Sequence, residues 1–156
     1  MYTMAYVERY VYINEVNAVS NATGTEVSVV LGYGSQSHPE TFLEVISGTA
    51  RCTDGVSAIA VKTTNTADNY SSPDMRGTTI AVMQQSFVAG TGINNFVLSG
   101  SAPKLLFNGN MQKITLTLET SEGLPLNLAQ IAPFSLIVKL SYPVPLIADK
   151  RTFFDE

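Results

Sequence analysis

Histidine and cysteine occur once each in this 156-residue chain, and tryptophan is absent. A Ser–His–Asp or Cys–His site needs a histidine as its base, and the only one is His38. It is followed by Pro39 in a Gly-Ser-Gln loop, where an exposed imidazole beside a proline turn is the expectation. Structural zinc takes four ligands, mostly Cys and His, and sheet-borne metal sites need several histidines; the inventory meets neither demand. The lone Cys52 excludes an intrachain disulfide, and at the end of an apolar segment it reads as a packed thiol. Charge is scarce too: 14% of residues against roughly 25% in a typical domain, although 45% are hydrophobic. That combination excludes a disordered chain and a coiled coil. Nine Lys and Arg, scattered, against thirteen Asp and Glu argue against nucleic acid as a partner.

Long apolar runs are also missing. The segment Pro133 to Pro143 contains Lys139 and falls well short of the roughly 20 residues a membrane-spanning helix requires, so no membrane span is expected. The opening MYTMAYVERY has no apolar run before Glu8 and Arg9, so no secretory signal is expected.

The groups that remain offer little chemistry. Asp54, Asp68 and Asp74 fall in loop-like stretches without an Asp-x-Asp-x-Asp run to gather them around calcium. Glu119 and Glu122 straddle the start of a turn rather than a cleft. Gly32-Tyr33-Gly34 and Gly90-Thr91-Gly92 lack the strand-to-helix context of a phosphate cradle and read as turns. Asn21-Ala22-Thr23 and Asn69-Tyr70-Ser71 are glycosylation sequons by chance in an Asn-, Ser- and Thr-rich chain. Tyr6, Tyr10 and Tyr12 share one face of a predicted strand, and with no tryptophan to build a sugar platform ordinary packing is expected of them. No catalytic residue, metal or cofactor site is expected, and the chain is read as not an enzyme.

What is present is strand pattern. Ile114, Leu116 and Leu118 alternate with polar residues across Gln112 to Thr120, as do Phe134, Leu136, Val138, Leu140 and Tyr142 across Phe134 to Tyr142. Further segments rich in Val, Ile, Tyr, Phe and Thr are Tyr6 to Val16, Glu26 to Leu31, Phe42 to Cys52, Val56 to Lys62 and Thr78 to Phe87, with Asn95 to Leu98 and Lys104 to Phe107 as shorter ones. Leu124 to Ile131 is the one place for a helical turn. Gly- and Asn-rich breaks separate the strands. The pattern predicts an all-β protein, a single antiparallel β-sandwich. Its core would hold Ile114, Leu116 and Leu118 opposite Phe134, Leu136, Val138 and Leu140. Because Pro143 and Pro145 cannot donate to a ladder, the sandwich is expected over residues 1–143 and an extended C-terminal tail over 144–156.

Residues Pro103 to Pro143 run Pro-Lys-Leu-Leu-Phe, a Gly turn, Ile-Thr-Leu-Thr-Leu, the acidic turn Glu119 to Gly123, Pro-Leu-Asn-Leu, then Pro133-Phe-Ser-Leu-Ile-Val-Lys-Leu. This order resembles the C-terminal hairpin of small β-sandwich minor capsid or penton-type proteins of large double-stranded DNA viruses and related virus-like elements. The strand Thr78 to Phe87 with its Gly-rich loop is similar to their middle strand. The resemblance implies a jelly-roll-like subunit of a virion that acts through protein–protein contacts, as minor capsid, penton or cement protein. Its implied partners are copies of itself and a major capsid protein. A surface poor in charge suits close packing of many copies. The other reading is a binding module, a fibre or adhesin head whose loops recognise a glycan or receptor. The tail carries Leu146, Ile147, Phe153 and Phe154, apolar side chains that suit a subunit interface, with Lys150 and Arg151 at its polar rim.

Overall fold

The computed structural model describes residues 4–31, 41–52, 56–65, 78–88, 94–98, 100–107, 113–131 and 133–145. The strands are β1 (Met4–Asn14), β2 (Val19–Ser20), β3 (Glu26–Val30), β4 (Phe42–Cys52), β5 (Ala58–Thr63), β6 (Thr78–Val88), β7 (Asn94–Leu98), β8 (Leu105–Leu106), β9 (Lys113–Thr120) and β10 (Phe134–Pro145). One helical turn, α1 (Leu128–Ile131), precedes β10. The all-β expectation holds, and every segment read as a strand contains one, in antiparallel pairing throughout the described residues.

The strands form one sheet in the order β1-β10-β4-β7-β6-β5-β9-β3-β2, with β8 against β4. Its two ends, β1 and β2, are consecutive in the chain. Residues 15–18 join them, a reach of at most about 17 Å, and the link is tightened by the Ala18 N–H to Asn14 carbonyl bond at 3.0 Å. A sheet whose first and last strands lie that close must curl back on itself. The curl encloses one hydrophobic cluster, to which β1 gives Val11 and Ile13, β9 Ile114, Leu116 and Leu118, and β10 Phe134, Leu136, Val138 and Leu140.

Bulges adjust the alternation. In β4 the pairing with β10 gains one residue between Val45 and Ser47, so Leu43 and Val45 face inward before it and Gly48, Ala50 and Cys52 after it. Gly48 lies opposite Leu136. A Cβ there would sit 2.9 Å from Leu136 Cδ2 and 3.3 Å from Met83 Sδ, so the strand approaches its neighbours in a way only glycine permits. Gly123, at φ 83°, closes the turn after β9, where its N–H reaches the Thr120 carbonyl at 3.0 Å.

Two expectations are corrected. First, β9 and β10 do not form a hairpin with each other. β9 pairs with β3 and β5, β10 with β1 and β4, and the segment containing α1 carries the chain between distant parts of the sheet. Second, Pro143 does not end the last strand. β10 continues to Pro145, with Pro143 opposite Tyr6 and Pro145 opposite Met4. Pairing with β4 stops at Ser141. Residues two apart direct their nitrogens to the same edge, so both prolines place theirs where no ladder bond is needed. The tail from residue 146 onward lies outside the described residues.

Candidate interaction face

β1 forms one end of the sheet and pairs, among the described residues, only with β10. Its odd-numbered Val11 and Ile13 enter the core, so period two sends Tyr6, Tyr10 and Tyr12 the other way. They are 60%, 57% and 52% exposed. This corrects the expectation that these rings are packed away: they stand on the outer face of the sheet, where a tyrosine can lie along neighbouring strands and keep its hydroxyl in water. The sequence signal was ambiguous because Glu8 shares the parity of the tyrosines while Arg9 shares that of the core residues.

Between the rings lies a charged row. Lys139 is the cross-strand neighbour of Tyr10 on one side and of Glu44 on the other. Its ammonium is 3.3 Å from Glu44 and 3.9 Å from Glu8. The hydrogen bond and negative charge of Glu44 hold Lys139 above its ordinary pKa. Tyr10 donates to Glu8 at 3.1 Å, and that hydrogen bond with the carboxylate's charge raises the phenol's pKa. Ser135 donates to the Tyr12 hydroxyl at 3.0 Å. At the far end Lys104 lies 4.9 Å from the centre of the Phe42 ring and 5.9 Å from that of Tyr6, within cation–π range.

Among the described residues, the edge of β1 is closed at one end only. Asn17 lays its amide along it, donating to the Tyr12 carbonyl at 2.6 Å and accepting from the Asn14 N–H at 2.8 Å. Even-numbered residues therefore point their main-chain polar groups away from β10. By the same period Tyr6, Glu8 and Tyr10 present theirs along an edge that no described strand covers.

Among the described residues, those singled out for chemistry are not brought together. Cys52 is fully buried. Glu119 is fully buried and its carboxylate lies 2.8 Å from the Lys62 ammonium, whereas Glu122 is on an exposed turn. Sequence reasoning missed the Lys62–Glu119 pair: the bulge between β5 and β6 sits beside Lys62, and Pro125 bridges back alongside Glu119 in the plane of the sheet, beyond the end of β3. Beside it a cavity of about 300 Å³ is lined by Asn21, Thr25, Glu26, Thr64, Thr115 and Thr117, among others. The Asn21 side chain is engaged in its own turn, accepting from the Thr25 and Glu26 N–H groups at 3.0 and 3.2 Å. Among the described residues no three His, Cys, Asp or Glu side chains are grouped to hold a metal, and no helix is long and apolar enough to cross a membrane. His38, Asp54, Asp68, Asp74, the two Gly pairs, the Asn69 sequon and the tail residues Leu146, Ile147, Lys150, Arg151, Phe153 and Phe154 lie outside the described residues.

The sequence matches no protein-family model and no curated protein.

Proposed function

We propose that this protein is a structural subunit of a virion shell, a minor capsid, penton or cement protein, and that it works by protein–protein contact rather than catalysis. The observation that carries the reading is the end strand β1, whose edge no described strand covers and whose outer face exposes three tyrosines. An uncovered strand edge is a template for another chain, and half-exposed tyrosines are residues that interfaces favour. The low charge of the surface supports close association of copies and of a major capsid protein. The apolar side chains of the tail, Leu146, Ile147, Phe153 and Phe154, supply the second half of the contact in a neighbouring subunit.

Deletion of residues 146–156 tests this. Loss of assembly in sedimentation, with an unchanged monomer melting temperature, supports docking in trans. A large fall in monomer stability, or no change in either quantity, overturns it.

One observation favours a second reading, the glycan-binding or receptor-binding module. The tyrosine rings with Glu8 and Glu44 between them form a flat face that could stack on a sugar and accept its hydroxyl protons. It differs from the sequence expectation in using the sheet rather than the loops. Glycan-array binding that Tyr10→Ala abolishes without affecting assembly would establish it in place of the first.

A further inference from the structure

We infer that a groove on the outer face of β4 and β7 is a carboxylate-binding site, and that it takes a carboxylate on a compact apolar body, the chemistry of a polypeptide's C-terminal residue. The inference goes beyond the subunit reading above and does not depend on it. Thr49 and Arg51 alternate with the buried Ala50 and Cys52 of β4, so period two directs them outward. β7 runs antiparallel beside them, with Val97 opposite Thr49 and Asn95 opposite Arg51. The four residues therefore occupy a patch about 5 Å across and about 7 Å along the strands. Pro133 flanks it on the other side of β4, because Phe134 lies opposite Ala50. These five residues, among others, line a cavity of about 330 Å³. That volume is at the lower end of those that hold small ligands.

The donors on this patch point to an anion. The Arg51 Nε–H donates to Asn95 Oδ1 at 3.4 Å. This leaves the two Nη groups, a fork that grips a carboxylate through two parallel hydrogen bonds. It also leaves the Asn95 amide nitrogen as a donor, since the oxygen is the atom that meets Arg51. Ser86, at the bulge between β6 and β7, donates to the Asn95 carbonyl at 3.3 Å and ties that residue's backbone in place. Among the described residues the ion pairs join Lys62 to Glu119 and Lys139 to Glu8 and Glu44, and Arg51 belongs to none of them. The Arg51 fork, the Asn95 Nδ2 and the Thr49 hydroxyl thus stand on one groove with no acceptor from the described chain.

The rest of the lining selects among anions. One guanidinium balances a single negative charge, whereas a phosphate dianion would keep half of its charge uncompensated. Val97, 38% exposed, and Pro133 give the groove apolar flanks that suit an aliphatic body next to the charge. An acidic sugar fits less well, because its hydroxyl protons need acceptors and Asn95 Oδ1 is already engaged by Arg51.

The test is a titration of the full-length, isotope-labelled protein with N-acetyl-leucine at neutral pH, followed through backbone amide chemical shifts. For a ligand of about twelve non-hydrogen atoms a dissociation constant in the millimolar range is expected. The shifts should centre on β4 and β7 around Arg51 and Asn95. Replacing the ligand by neutral N-acetyl-leucinamide, or the protein by its Arg51→Gln variant, should weaken binding about tenfold or more. Asn95→Asp is the sharper variant. It keeps the side chain's shape and leaves the guanidinium in place, yet supplies Arg51 with a carboxylate from within the chain, so it too should weaken binding about tenfold or more. Both substitutions fall on the outer face, and an unchanged melting temperature shows that the fold survives them. Absence of saturable shifts up to about 20 mM, equal binding of the neutral amide, or undiminished binding by Asn95→Asp would overturn the inference. Tighter binding of inorganic phosphate or of N-acetylneuraminic acid at the same residues would overturn the assignment of ligand class, making this a phosphate or an acidic-sugar site instead.

Discussion

Adding a single methyl group at Gly48 should destabilise the protein although glycine is ordinarily a poor strand residue. The perturbation is Gly48→Ala. Its new Cβ would meet Leu136 Cδ2 at 2.9 Å and Met83 Sδ at 3.3 Å, against an optimum near 3.5–4.0 Å. Leu136 and Met83 are both fully buried. The methionine can swing its sulfur aside, but the leucine is a β10 residue directly opposite Gly48 and is held in the core cluster. Overpacking of this kind costs about 1–3 kcal/mol. Replacing glycine returns about 0.5–1 kcal/mol by restricting the unfolded chain. From the middle of each range the net expectation is a loss of about 1.3 kcal/mol, which at a urea slope of about 2 kcal/mol/M lowers the unfolding midpoint by about 0.6 M. Urea denaturation followed by circular dichroism measures it. The cause is isolated by repeating the substitution in a Leu136→Val background, where the offending methyl is gone and the extra cost of Gly48→Ala should shrink to near zero. A midpoint unchanged or raised by Gly48→Ala, or the same cost in both backgrounds, would refute the argument.

Glu119→Leu should cost about 3–5 kcal/mol in the same assay by removing the buried carboxylate 2.8 Å from the buried Lys62 ammonium, while Lys62→Met combined with Glu119→Leu should recover most of that loss. Cys52 should resist a thiol reagent such as Ellman's in the native state and react at the rate of unfolding, because it has no exposed surface. Tyr10 and Lys139 both have raised pKa values, so whatever they contribute to stability is fully present below their unfolded values near 10 and 10.5 and is lost as pH rises through the folded ones. Phenolate absorbance should therefore show a late-titrating tyrosine that Tyr10→Phe removes and Glu8→Gln moves to lower pH; an unchanged titration curve in both variants would contradict the Glu8 hydrogen bond.

Strand existence was legible because the core-facing residues of β9 and β10 alternate without interruption, and the turn Gly123 closes carries its own glycine signature. The reading ran together what sequence order does not separate. β9 and β10 are successive strong strands, and successive strands usually pair, yet their partners come from elsewhere in the chain. Pro143 and Pro145 looked like a stop because the ladder edge each nitrogen faces depends on parity and on where β4 ends, neither of which a sequence displays. The bulge after Val45 was hidden for the same reason. At the interaction face, β1 offers apolar residues at both parities, and one charge on each, so periodicity alone could not say which set meets water. The Lys62–Glu119 pair was illegible because the two residues meet only as diagonal neighbours across the β5–β9 ladder, a register that sequence does not display.

The pairing of β1 with β10 also sets the order of events on the ribosome. β1 leaves the ribosome well before β10, its only described partner, which ends at Pro145. At about 5–20 residues per second, the roughly 130 residues that separate the end of β1 from the end of β10 take about 7–26 s to follow. For that interval β1, with its three tyrosines and its valines, waits without the one strand that pairs with it among the described residues, so it docks only once β10 is made. Any shortened product that stops before residue 134 leaves β1 permanently without its partner, which makes premature termination a direct route to sticky, unassembled chains.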